Sequence, residues 1–415
     1  MIEAAEINLT DWDFWKRPRP ERYEAFRVLR RQETLPRFPE PQVAGLPTGP
    51  GYYAVTRHAD VVEASRRPKD FCSGQGAISI PDMPTELNEY FGSMINMDDP
   101  RHARLRRIVS RAFTPRMIQR FEDHVEDVAA RIVARVRDGG TGEFVSDVAA
   151  RLPLTIICEL MGIPDAHYQT VLDASNTILA GADPEYVEDV TDYEKMATGL
   201  LNAGQTLINI MEELARDRRA NPTDDLTSAL VNANIDGESL TDQELGSFFI
   251  LLAVAGNETT RNAIAHGLHL FTTHPDQRAL LAEDFEGRIA GAVEEIVRYA
   301  SPVIWMRRTA TCDTTLNGHE IKAGDKLLLY YASANRDETV FDDPDRFDIL
   351  RSPNPHVGFG GPGPHFCLGA HLARREVTVM FRELFRQVPT IRAAGEPEWL
   401  LSNFVNGIKR LPYEI

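Results

Sequence analysis

Residues 356–377 read HVGFGGPGPHFCLGAHLARREV, and the fold turns on how Cys367 is placed within them. Glycine and proline crowd the run before the cysteine, so the chain there is built for tight bends and close backbone approach. The stretch behind it, LGAHLARREVTVMFRELF, holds good helix formers with an apolar period of three to four. Cys367 therefore falls at a helix N-terminus, where unpaired N–H groups and the positive end of the macrodipole favour thiolate over thiol. Two readings follow. Either the thiol is a small buried hydrophobe, the usual fate of a free cysteine, or something binds it as an anion.

The surrounding chain has 415 residues, 43% hydrophobic and 26% charged, which is ordinary globular composition. Length alone would allow two or three domains. No Ser/Gly linker, repeat or low-complexity run offers a place to cut, so one domain over 1–415 is expected. The net charge is −17 with no long basic run, which argues against a nucleic-acid partner. The longest apolar stretch, FFILLAVAG at 248–256, is far short of the ~20 residues a membrane span needs. MIEAAEINLTDWDFWKRPRP at the N-terminus has no hydrophobic signal core, and a cytoplasmic, monomeric protein without a membrane anchor is expected. Cys72, Cys158, Cys312 and Cys367 lack the pairing and His spacing of a zinc site. Disulfides are not expected in a reducing compartment, and the first three cysteines read as core.

Helical periods dominate. GYYAVTRHADVVEAS reads as a strand entering a helix, and PRHARLRRIVSRAFTPRMIQRF as a basic amphipathic helix. Residues 116–235 are largely helical, broken at RDGGTGE, GIPDA and RRANPTDD. Thr241 and Glu244 form a capping-box pattern that opens a helix running to Pro275. At about 30 residues it would span roughly 45 Å, and its apolar centre predicts burial on every side. A further helix, AGAVEEIVRYAS, precedes an alternating stretch that turns at NGHE and AGDK. The fold class is mainly α with minor β.

Two features of this pattern carry chemistry. AGNETT, residues 255–260, puts a glycine, a carboxylate and two hydroxyls inside a buried helix, a local cost expected at functional sites. Such groups can divert backbone hydrogen bonds and open the helix; the plainer alternative is that they face a polar neighbour. EEIVRY offers Glu295 and Arg298 as an i,i+3 ion pair. The same spacing recurs at Glu24/Arg27, Glu63/Arg66, Glu213/Arg216, Glu258/Arg261 and Glu383/Arg386, mostly as solvated helix faces, so spacing alone decides nothing.

Order along the chain decides more. A long helix with A-G-x-E-T, then E-x-x-R, then FDDPDRF, then G-x-H-x-C-x-G resembles the cytochrome P450 superfamily from end to end. YFGSMINMDDPRHARLRRIVSRAFTP, FFILLAVAGNETTRNAI and SPNPHVGFGG are most similar to mycobacterial members that hydroxylate methyl-branched lipids and sterol side chains at the chain end. The resemblance implies a single-domain P450 fold with a long central helix over the haem. It implies haem b with Cys367 as the axial thiolate. Gly363 and Gly369 would let the backbone approach the macrocycle, with N–H groups aimed at the sulfur. His365, His102, Arg106 and Arg308 would hold the propionates, Ala255 would lie against the haem, and Phe359 would shield the thiolate. Glu295, Arg298 and Arg346 would form a structural triad behind the cysteine loop. Gly256, Glu258 and Thr259 would be catalytic, the glycine making room for O2 and the other two delivering protons.

In one respect the chain departs from the family pattern. Phe359 stands eight residues before Cys367, where the common pattern has its aromatic seven before, and Pro362 and Pro364 stiffen the longer loop. The implied reaction places one atom of O2 into a C–H bond of a hydrophobic lipid, at its chain end. Substrate contact is expected from residues 93–97, 175–183 and 301–306 and from the helix near Leu252 and Ala255. A sterol or terpenoid hydroxylase, a peroxide-driven peroxygenase and a haem-thiolate sensor share most of these motifs. The chain carries no flavin or iron–sulfur module of its own, so electrons are expected from a ferredoxin and its reductase. His102–Arg107 and Arg374–Arg375 are the expected dock for an acidic partner.

Overall fold

The computed structural model describes residues 2–43, 45–112, 115–179, 182–186, 193–234 and 237–415; of 115–122 and 193 it describes the backbone alone. The long helix is Asp242–Thr273. Its start is fixed by the expected capping box: Thr241 Oγ1 accepts from the Glu244 amide at 3.1 Å, and Glu244 Oε2 accepts from the Thr241 amide at 2.9 Å. It stops at His274 because Pro275 opens the next helix, Pro275–Glu283. Its N-terminal half packs Phe248 and Phe249 into one core cluster, and its C-terminal half packs Ile264, Leu268 and Phe271 into another. A helix this apolar can do so because both halves are surrounded.

Helices Arg151–Met161, Tyr168–Leu179 and Tyr193–Ala220 lie against the N-terminal half of the long helix or against one another, and Phe285–Ala300 and Ala370–Gln387 against its C-terminal half. The single basic helix read over 100–121 is two elements, Arg101–Ala112 and Pro115–Gly139. The RDGGTGE break is a short strand, Thr141–Glu143, and GIPDA begins at Gly162, a left-handed cap with φ +75°. Among the described residues no helix is long and apolar enough to cross a membrane.

The largest sheet has five strands in the order Arg37–Phe38, Tyr52–Val55, Lys326–Tyr330, Trp305–Ala310 and Phe71–Cys72. Only Tyr52–Val55 and Lys326–Tyr330 run parallel. Tyr52–Val55 leads into helix His58–Arg66, as its pattern predicts. NGHE makes the tight turn of a hairpin through Asn317 and Gly318, both at positive φ. Cys72 and Cys158 are buried, but Cys312 is exposed. The strand ends at Ala310, so the alternation that seemed to carry Cys312 inward has already stopped.

Candidate active site

The glycine-rich loop delivers Cys367 to the start of helix Ala370–Gln387. The Cys367 amide donates to the Phe359 carbonyl at 3.0 Å, closing the loop on itself. The amides of Gly369 and Ala370 point at the sulfur, and the Arg106 and Arg374 cations lie near it. Desolvation by the surrounding protein pushes the Cys367 thiol up and those groups offset part of that, while the residue itself keeps a solvent-exposed side.

Gly363 has a reason for being glycine within the chain itself. A Cβ there would sit 2.3 Å from the Ser65 carbonyl oxygen, at the end of helix His58–Arg66. Gly369 meets nothing within 4 Å, so its bare side faces open space. The Phe359 ring lies 4.3 Å beneath the Arg374 guanidinium, which is bound in turn to Glu294 at 2.5 and 2.9 Å.

Four basic side chains converge beside the loop. The His102 and His365 rings are 4.2 Å apart. Burial first, then Arg308, His102 and Arg106, bring the His365 imidazole down to about 2, which places all four groups in one neighbourhood. Burial and Arg106 also lower His102, so both rings are neutral and the positive charge belongs to the arginines. His102 Nε2 is buried without a partner. Buried Arg308 donates to the Arg307 carbonyl at 2.8 Å, and Arg106 donates to the Phe366 carbonyl at 2.8 Å. His102, Arg106, Gly363 and Pro364 line a groove of about 410 Å³.

The long helix presents a stripe of half-buried residues, Leu251, Leu252, Ala255, Gly256 and Thr259, on an element otherwise buried at its centre. Thr259 Oγ1 donates to the Ala255 carbonyl at 2.8 Å, yet the helix stays α-helical through this turn rather than opening. Gly256 backs onto Ile157, whose side chain would lie 3.2 Å from an added Cβ. Its small size serves packing against helix Arg151–Met161. Glu258 is buried away from the stripe, where Arg261 and Asn262 bind its Oε1 and Arg261 reaches Asn176 at 2.9 Å. Glu258 Oε2 and both amide atoms of Asn257 are buried without partners.

Behind the loop, Glu295 and Arg298 pair at 2.7 Å, both fully buried. Arg298 also donates to the carbonyls of Asn335, Pro344 and Arg346. The expected third member, Arg346, thus contributes a carbonyl. The second guanidinium on Glu295 is Arg351, at 3.2 Å, with Asn354 adding an amide at 3.1 Å. Arg351 and Asn354 were missed; their only sequence signal was the prolines of RSPNP, which mark an ordered turn.

The expected docking charges are largely spent within the chain. Arg374 pairs with Glu294, Arg375 with Glu126, Arg104 with Glu244 and Arg107 with Glu238. Arg106 is bonded to a carbonyl instead. Of the expected substrate-contact segments, Met94 and Met97 are core, leaving Ile95 half-buried. Val303 and Met306 are half-buried in 301–306. In 175–183, Ser175 is bonded to the Ala253 carbonyl at 3.2 Å, and residues 180–181 lie outside the described residues.

A cysteine sulfur facing backbone amides, an open glycine beside it and two arginines with an orphaned imidazole nitrogen fit a planar metal-bearing macrocycle with anionic arms. That is the class of haem-thiolate proteins. Residues 88–388 match the Cytochrome P450 family model, and the chain belongs to that family. It is a P450 monooxygenase, an oxidoreductase. It is 49% identical over 414 residues to a methyl-branched lipid omega-hydroxylase of Mycobacterium tuberculosis, covering 99% of this chain and 95% of that protein. It is 43% identical over 393 residues to a steroid C26-monooxygenase of Mycolicibacterium smegmatis, covering 93% and 88%. A solved Mycobacterium marinum cytochrome P450 in complex with pseudoionone superposes with a TM-score of 0.93 at 43% identity, over 99% of this chain and 98% of that one.

Proposed function

We propose that this chain hydroxylates the terminal methyl of a methyl-branched lipid, with haem b held by Cys367 Sγ. The observation that carries the substrate is the full-length similarity to the omega-hydroxylase. The steroid relative supports the same end of the molecule, since C26 in steroid numbering is a terminal methyl of a branched side chain. A bound iron cation would hold Cys367 Sγ as the thiolate. Arg106 and Arg308 would neutralise the propionates, with His102 Nε2 and His365 completing their hydrogen bonds.

When bound, haem supplies O2 activation and oxygen transfer to carbon. The chain supplies position and protons. Ala255 and Thr259 share the half-buried stripe, so a substrate carbon and the Thr259 hydroxyl would meet the same face. Thr259 Oγ1 is tied to the Ala255 carbonyl, and turning from it would make it a donor. Glu258 Oε1 is held by Arg261 and Asn262, which leaves the unpartnered Oε2 as the oxygen that would serve proton delivery. Ile95, Leu252, Val303 and Met306 would form apolar walls. Electrons would come from a ferredoxin and its reductase.

A terminal C–H bond is stronger than an internal one, so attack there requires the chain to be held with internal carbons off the reacting position. Each methyl branch seated in a niche adds up to ~1–3 kcal/mol of discrimination. The test compares a branched and a linear fatty acid of equal length by haem spectral shift and by product position. Tighter binding and terminal product with the branched acid are expected. Equal affinity with mainly internal hydroxylation overturns the substrate reading.

A further inference from the structure

The central strand Trp305–Ala310 serves two faces. Arg308 turns toward His365, and by strand alternation Arg307 turns the other way with Thr309. Thr309 pairs across the sheet with Lys326, so Arg307 and Lys326 share that second face. Both are buried, and the buried carboxylate beside them is Glu40, 2.8 Å from Lys326 Nζ. Two buried cations against one buried anion leave one charge to be met.

Asp82 meets it. Its Oδ1 accepts from Arg307 Nη2 at 2.6 Å, and its Oδ2 lies 2.9 Å from Lys326 Nζ. Arg307 Nη1 also donates to the Ile80 carbonyl at 3.0 Å, and its backbone amide donates to the Ala77 carbonyl at 2.8 Å. The strap around Asp82 is thus laid across the strand. From it the chain runs into helix Thr85–Gly92, which packs on the long helix, and then into 93–97 with Ile95. Asn96 closes this excursion by binding the Ala77 amide at 2.7 Å and the Asn88 carbonyl at 2.7 Å.

The asymmetry of exposure gives the contact a role. Arg307 and Lys326 are buried in the frame, whereas the Asp82 side chain is 56% exposed. A carboxylate with water at its back is only partly desolvated when it docks and can leave and return, but the cations it leaves behind cannot be relieved from within the sheet. We infer that Asp82 is a positioning residue that clamps the 83–97 wall of the lipid pocket onto Arg307 and Lys326, and so governs lipid release and which carbon is oxidised. The lipid half of this inference rests on the substrate reading above.

The test uses the holoenzyme carrying Asp82→Asn, with Asp82→Glu as the conservative control. Expected in Asp82→Asn are faster amide hydrogen exchange confined to 83–97, about ten-fold faster release of a branched fatty acid in stopped flow, and a lower share of terminal product. Release from the wild type should quicken with added salt and that from Asp82→Asn should not, because screening acts on the charge that has been removed. Asp82→Glu should recover most of the wild-type behaviour. Unchanged exchange and release in Asp82→Asn would overturn the inference, as would a uniform rise in exchange across the chain, which marks a merely structural loss. If the wild type itself binds no branched acid, the substrate reading fails, while local exchange at 83–97 still decides the clamp.

Discussion

Gly363→Ala and Gly369→Ala separate two reasons for glycine in the cysteine loop. At Gly363 an added Cβ would lie 2.3 Å from the Ser65 carbonyl oxygen and 3.2 Å from its carbon. A carbon and an oxygen in ordinary contact stand above 3 Å, so loop and helix end must part by about 1 Å, and close-packed surroundings resist such a shift. Ser65 is anchored, since its hydroxyl donates to the Val61 carbonyl at 2.7 Å. Pro362 and Pro364 restrict the loop on either side of Gly363. Overpacking of this kind costs about 1–3 kcal/mol. At Gly369 nothing lies within 4 Å and φ is −85°, so alanine fits the chain itself without strain. Thermal unfolding and haem content of both purified variants provide the assay. Gly363→Ala should lower the Tm and leave a fraction of the protein without haem, whereas Gly369→Ala should keep the fold and lose only haem affinity or the native Soret position. Wild-type stability in Gly363→Ala, or an equal loss of stability in Gly369→Ala, would refute the packing argument and return Gly363 to the macrocycle.

Reduced protein with carbon monoxide should show the red-shifted Soret band of thiolate ligation; Cys367→Ala should abolish it, and Cys312→Ser should not. Thr259→Ala should leave lipid binding near normal but divert reducing equivalents to peroxide, read as product formed per NAD(P)H consumed; unchanged coupling would make Thr259 an ordinary helix residue. Burial raises Glu294, but its hydrogen bonds to Arg374 and His356 outweigh that and hold it down to about 2. Its contribution is present above the ordinary value of 4.5 and is lost as pH falls through about 2. Glu294→Gln should therefore be less stable by about 1–2 kcal/mol at neutral pH, allowing for solvent screening, with the gap to wild type closing on acidification across that window.

The long helix and its ends were legible in the sequence because they rest on local rules: a capping box acts within four residues, and proline stops a helix whatever surrounds it. The Cys367 loop was legible for the same reason. What the sequence hid are partnerships across hundreds of residues. Arg346 and Arg351 are both arginines following a turn, and nothing local says that one lends its carbonyl to Arg298 while the other lends its guanidinium to Glu295. Glu258 and Thr259 are neighbours in sequence, but adjacent residues on a helix lie about 100° apart. The hydroxyl falls on the half-buried stripe and the carboxylate among Arg261, Asn262 and Asn176. Arg374 and Arg375 read as free charges because their carboxylates, Glu294 and Glu126, stand on other helices. At Cys367 the local rule does reach the site: the loop and the helix start behind it turn the Gly369 and Ala370 amides onto the sulfur, as a helix N-terminus should.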